Sequence, residues 1–410
     1  MNENILRKYA RLAVCSGANV QPGQLLVISS SVKDYQFTKL CVEEAYKVGA
    51  GAVSVEWDYE DITKMRFQYC SIETLTEVPQ WSFDKRKWAQ DKGCCFLHIE
   101  SDTPGFMADV DQNKIREARM AAMKVMYPLR EYTMANHGQW CIVALPSVGW
   151  AKKVFPEMND EDAVNALWDA ILKSVRISED NDPVAEWKQH DEDLAKHCQL
   201  LNELHFDKLH FTNSKGTDLY VGLVKKHCWA GGSCFSTKGV EFNPNMPTEE
   251  VFCMPDKNNV EGVVYASKPL DYSGKVIENF WFRFEKGAVV EYGAEKSEDA
   301  LKNLLDTDEG SKHLGEVALI SYHSPISLMN ILFYNTLFDE NASCHLALGE
   351  AYPENIVGGT EMSPEQLAAE GANNSHNHVD FMFGTEDMKV VGIKEDGSEV
   401  VVFENGDFII

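Results

Sequence analysis

The stretch SHNHVDFMFG, residues 375–384, places His376, His378 and Asp380 two residues apart. In an extended strand such residues share one face, while Val379, Phe381 and Phe383 take the other. Imidazole and carboxylate on one edge can hold a metal ion. The same row reads equally well as a half-exposed strand whose polar side chains pair with each other. Other donors lie upstream. His345 sits in the apolar stretch ASCHLALGEAY, followed by Tyr352. Glu316 lies in LGEVALI, where a carboxylate is costly to bury unless it is paired or binds a cation. Glu249 and Glu250 are adjacent in NMPTEEVF, so in an extended segment one of them points inward. Taken singly, each donor also has an ordinary structural reading, on a solvent face or as a satisfied core group.

Sites of other kinds leave no mark. HExxH, GxSxG, GxxxxGK[ST] and GxGxxG are absent from the sequence. GAGAV at 49–53 precedes a strand and is read as a turn; GGSCF at 231–235 is read as a loop. Lys152 and Lys153 form an isolated basic pair, read as a solvated loop or helix start. The eleven cysteines have neither zinc-ribbon nor CxxC spacing and are read as reduced, mostly buried thiols.

The elements that must position these donors fall into two kinds. Before residue 205, apolar strand-like runs (25–30, 52–57, 94–100, 140–146) alternate with helical periodicity at 2–15, 34–48, 110–127, 161–175 and 183–204. This predicts an α/β N-terminal domain, a mainly parallel sheet with flanking helices. Beyond it, short strands and turns dominate, with one helix at 297–306. Asp396-Gly397 and Asn405-Gly406 lie between apolar runs and predict a terminal three-stranded meander. The second part is therefore expected to be a β-rich α+β C-terminal catalytic domain. The division is placed at 1–190 and 191–410, within a boundary zone of 180–206.

The chain has 410 residues, 44% hydrophobic and 25% charged, an ordinary globular balance. A net charge of −26 opposes binding to phosphate backbones or anionic membranes. The start MNENILRKYARLAVCSGANV lacks the pattern of a secretory signal, and no run reaches the ~20 apolar residues of a membrane span. A cytoplasmic location is expected.

NMPTEEVF, GEVAL, CHLALGEAY and HNHVDFMFG, in that order, resemble the aminopeptidase T / aminopeptidase S / PepS family of metallo-aminopeptidases, over nearly the whole chain. The spacings agree: 66 residues from Glu250 to Glu316, 29 to His345, 33 to His378 and two to Asp380. The resemblance implies the metal ligands Glu250, Glu316, His345, His378 and Asp380, with Glu316 bridging and Tyr352 in the active site. Alignment on EVF selects Glu250 and leaves Glu249 as an outward neighbour. His376 is not a ligand by this match and is carried as a group that could support one. The resemblance further implies two divalent ions, a homodimer with enclosed active sites, and short peptide substrates with a free N-terminus. Mixed oxygen and nitrogen donors suit zinc, cobalt or manganese. A hydroxide bridging two such ions is a nucleophile at neutral pH, because metal binding lowers the pKa of water from about 15.7 to about 7. The alternative function is another dinuclear metallohydrolase, a phosphodiesterase or a non-peptide amidase. Against phosphoryl substrates, Arg283 is the one arginine beyond residue 205. A metal-binding protein without catalysis is the third reading.

Overall fold

In the computed structural model, which describes residues 1–272 and 274–410, the chain packs as two units. The first comprises Met1–Gln189 and Ser233–Pro247; the second comprises His190–Gly232 and Thr248–Ile410. The excursion at Ser233–Pro247 is a feature that a single boundary near residue 190 does not describe.

The first unit is built on a four-stranded parallel sheet in the order Ala52–Asp58, Leu25–Ser31, Cys95–Glu100, Trp140–Ala144. Its central strands are apolar on both faces, as a sheet covered by helices requires. Helix Glu3–Leu12 buries Ile5, Tyr9, Ala10 and Leu12. The Tyr9 hydroxyl donates to the Ala144 carbonyl at 3.0 Å and accepts from the Ala144 amide at 3.2 Å. Tyr9→Phe strips both partners from a buried peptide group and is expected to cost about 1–3 kcal/mol. Urea unfolding checks this, and an unchanged midpoint would show that the pair contributes nothing. Helices Glu60–Tyr69, Ile72–Thr76 and Gln80–Asp91 were not expected from the sequence. They lie near the surface, and Glu60–Tyr69 buries no side chain, so the apolar stripe that marks a helix is missing. Lys152 and Lys153 occupy the last turn of helix Val148–Val154, where Lys152 donates to the Pro156 carbonyl at 2.9 Å.

The second unit contains two large antiparallel sheets and a two-stranded antiparallel pair, Leu270–Tyr272 with Lys275–Ile277. The larger has eight strands, and its C-terminal end is the expected meander of Lys389–Ile393, Glu399–Glu404 and Asp407–Phe408. Asn405 and Gly406 both have positive φ (54° and 74°), as a two-residue turn between twisted strands demands. The smaller sheet runs in the order His378–Met382, His345–Gly349, Leu314–Leu319, Val251–Cys253, Ala230–Gly231, with every pair antiparallel. One face of it (Val251, Cys253, Val317, Leu319, Leu346, Leu348, Phe381) joins a core shared with the larger sheet. Phe381 meets Phe282 of that sheet at 5.1 Å between ring centroids. The architecture is thus a parallel α/β unit together with a unit rich in antiparallel sheet.

Candidate metal centre

The other face of the smaller sheet carries the donors, and the strand register shows why. Asp380 pairs with Ala347, which pairs with Glu316, so all three lie in one row across neighbouring strands and point the same way. Alanine in the middle of the row leaves space between the two carboxylates. His345, two residues from Ala347, shares this face and pairs with Ala318, which pairs with Phe252. His378, two residues from Asp380, pairs with Gly349.

Glu316 reaches this face through an irregularity. Leu314 pairs with Leu348 and lies in the core, yet Glu316, two residues on, pairs with Ala347. Strict alternation would put Leu314 and Glu316 on the same side. A bulge at Gly315 adds one residue and turns Glu316 over. Glycine is required there, because a Cβ would stand 2.2 Å from the Glu350 carbonyl and 2.4 Å from that of Gly349.

The five donors converge on two overlapping groups. Glu250, Glu316 and His345 form one; Glu316, His378 and Asp380 form the other. Nε2 of His345 lies 3.1 Å from Oε1 of Glu316 and 3.2 Å from Oε2 of Glu250. Nε2 of His378 lies 3.6 Å from Oε2 of Glu316 and 3.3 Å from Oδ1 of Asp380. Each carboxylate oxygen of Glu316 therefore faces a different group. The His378 ring is oriented by its Nδ1–H, which donates to the Glu350 carbonyl at 2.7 Å, so Nε2 is the nitrogen that faces the donor group.

Tyr352 follows strand His345–Gly349, and its ring lies 4.7 Å from that of His378 and 6.3 Å from that of Phe252. Burial, and then the charges of Glu316, Asp380, Glu340 and Glu250, push its hydroxyl pKa upward. It stays protonated and can donate.

Two further carboxylates lie in the field of this site and were not singled out from the sequence. Burial raises Glu340 well above the usual carboxylate range, and Asp380, Glu250 and Glu316 add to the rise. Burial also raises Glu354, helped by Glu316 and Glu250. Both sit on single 3₁₀ turns, Glu340–Ala342 and Pro353–Asn355. Such turns have no periodicity to mark which side chain faces inward; proximity to His345 and Tyr352 in sequence was the available signal.

Glu249 and His376 differ from their expected positions. Glu249 is turned away from the donor groups but is buried, with Oε2 3.9 Å from Nε2 of His190. Its amide donates to Oδ1 of Asn341 at 2.7 Å, which anchors the backbone immediately before Glu250. The strand begins at His378, so His376 lies outside it and is exposed.

The donor set fits divalent cations. Three carboxylates (Glu250, Glu316, Asp380) and two imidazoles form the two largely buried groups, and the carboxylates of Glu340 and Glu354 lie within their field. Buried Asp380 Oδ1 and His345 Nδ1 have no hydrogen-bond partner. A buried excess of negative charge is stable when a cation offsets it. Without one, protons do so. Burial opposes charge on His378, but Asp380 and Glu316 override it and push its pKa up to about 10. Burial likewise opposes charge on His345, but Glu250 and Glu316 hold its pKa well above the usual value.

The family described as thermophilic metalloprotease (M29) matches residues 2–408 of the chain. The chain is 46% identical over 403 residues to aminopeptidase AmpS of Bacillus subtilis (strain 168), covering 98% of each. It is 40% identical over 405 residues to aminopeptidase T of Thermus aquaticus, covering 99% of this chain and 98% of that one. The solved structure of wild-type AmpT from Thermus thermophilus matches with a TM-score of 0.93 at 37% identity, over 100% of both chains.

Proposed function

We propose, from the premise that this chain belongs to the M29 family of metalloproteases, that it is an aminopeptidase whose site holds two divalent cations. The observation that carries this reading is the division of Glu316 between the two donor groups, one oxygen to each. Glu250, His345 and Glu316 would hold one cation; Glu316, His378 and Asp380 would hold the other. When bound, the pair supplies a shared hydroxide as nucleophile and polarises the scissile carbonyl. Zinc, cobalt and manganese all suit such oxygen-rich donors with imidazole nitrogen.

The chain's own groups do the rest. Tyr352 keeps its proton and donates a hydrogen bond to the oxygen that gains charge as the peptide carbonyl is attacked. Glu340 and Glu354 are carboxylates outside the ligand set that can receive the α-ammonium of the substrate. Either carboxylate can instead take up a proton and return it to the leaving amine. Tyr352→Phe is expected to lower kcat by at least about tenfold with metal content unchanged. Equal turnover in the two enzymes would remove the hydroxyl from the mechanism.

The other parts of the reading have separate supports. A homodimer with enclosed sites rests on the family resemblance. A cytoplasmic location rests on eleven cysteines that are all free thiols. Among the described residues, no helix is long and apolar enough to cross a membrane.

Metal-loaded protein assayed on leucyl-p-nitroanilide, an N-acetylated peptide and bis-p-nitrophenyl phosphate tests the activity. Cleavage that requires the free amine supports the aminopeptidase. Phosphodiester cleavage supports the alternative metallohydrolase, and silence on all three supports a metal-binding protein without catalysis.

A further inference from the structure

The smaller sheet ends, beyond its outer strand, at a cavity of about 280 Å³. Its lining includes Lys215, Ser267, Lys268, Tyr322, Thr385 and Glu386. Register ties this cavity to the donor face. Met382 closes the strand that carries Asp380 and pairs with His345 on the neighbouring strand. The Ser267 amide donates to the Met382 carbonyl at 2.8 Å, so the segment bearing Ser267 and Lys268 is pinned to that row. Asp380 and Met382 are two residues apart, about 7 Å along a strand.

Two polar groups on the wall are unspent. The Ser267 hydroxyl is buried and has no hydrogen-bond partner. The Lys268 ammonium is partly buried, and no carboxylate among the described residues closes an ion pair on it. Asp339 attracts Lys268 from a distance, but its oxygens accept from the amides of Phe333 and Asn335 at 2.7 and 3.0 Å. Nearby, Lys215 donates to the Ala266 carbonyl at 3.3 Å. A buried donor without an acceptor is unfavourable, and here the Ser267 hydroxyl and a partly buried ammonium with no ion pair border one cavity in a chain of net charge −26. The missing partner is a small anion with two acceptor oxygens.

We propose that this cavity receives the C-terminal carboxylate of a short peptide whose first peptide bond lies at the Glu316 site, with Lys268 and the Ser267 hydroxyl as its anchors. The inference rests on the aminopeptidase reading above and adds a length and charge preference to it. An extended peptide spans about 3.3–3.6 Å per residue, so three or four residues reach past the step from Asp380 to Met382 that leads from the donor face to the segment bearing Ser267. Longer chains have no carboxylate at the right place.

The test compares kcat/KM on a tripeptide free acid with that on the same tripeptide as its C-terminal amide. Wild type, Lys268→Met, Lys268→Arg and Ser267→Ala are assayed, each checked by a thermal melt. Wild type is expected to prefer the acid by at least about tenfold, through KM. In Lys268→Met the acid-to-amide ratio is expected to fall to about one; Lys268→Arg restores much of it, and Ser267→Ala lowers it severalfold. Should Lys268→Met not fold, the wild-type ratio and Ser267→Ala decide the matter. A wild type that treats acid and amide alike overturns the proposal, as does a Lys268→Met enzyme that keeps the wild-type ratio. Leucyl-p-nitroanilide, which has no terminal carboxylate, separates the two levels of inference. If wild type cleaves it but ignores the acid–amide difference, the anchor alone is wrong; if it leaves it intact, the aminopeptidase reading is wrong.

Discussion

Glu316→Gln is expected to lower bound metal from two ions per chain to one or none and to lower kcat by at least about 1,000-fold. The argument rests on the two oxygens of this side chain. Oε1 faces Nε2 of His345 and Oε2 faces Nε2 of His378, so one residue contributes to both donor groups. Glutamine keeps the volume but replaces one charged oxygen with an NH₂, which donates and cannot ligate. One group then loses a ligand outright, and the other keeps a neutral oxygen in place of an anionic one. Metal analysis of the purified variant beside the wild type reads this independently of activity. Two ions retained at full occupancy would show that Glu316 does not bridge.

Metal affinity is expected to rise steeply with pH, by up to about 100-fold per unit around neutrality, or about tenfold for each of two protons displaced. The reason lies in the metal-free site. With the pKa of His378 pushed up to about 10 and that of His345 also raised, both imidazoles hold a proton near neutral pH. A cation must expel those protons to reach Nε2. Chelator competition at pH 7 and pH 8 measures the slope, and an affinity independent of pH would rule out protonated histidines in the empty site. The stability of the metal-free protein should move in the opposite sense. The folded pKa of His378 lies above its unfolded value of about 6.5, so its contribution is complete below that value. It is lost as pH rises through about 10. Chelated enzyme is therefore expected to lose stability over that window, while metal binding strengthens.

The residue types and local order were open to reading because both follow from short-range rules. Alternation in SHNHVDFMFG places His378 and Asp380 opposite Val379 and Phe381, and the fold keeps that arrangement. The alternating strands and helices of the first half, and the two turns of the last hairpins, were equally visible. Helices 60–69, 72–76 and 80–91 were not, because near the surface they need no apolar stripe. His376 illustrates the limit of the period-two rule. It keeps the spacing but lies before the strand begins, where the backbone amide donates to Asp308 at 2.6 Å and the alternation no longer applies.

What the sequence by itself determined was the inventory of donors and the kind of element carrying each, since side-chain chemistry and strand alternation are local properties. Tertiary structure alone decided that Glu316 is turned by the Gly315 bulge to face two groups at once, and that Glu340 and Glu354 lie in their field. Those relations depend on which strands pair and in what register. That pairing is chosen by the packing of side chains far apart in the chain, on the opposite, apolar face of the sheet.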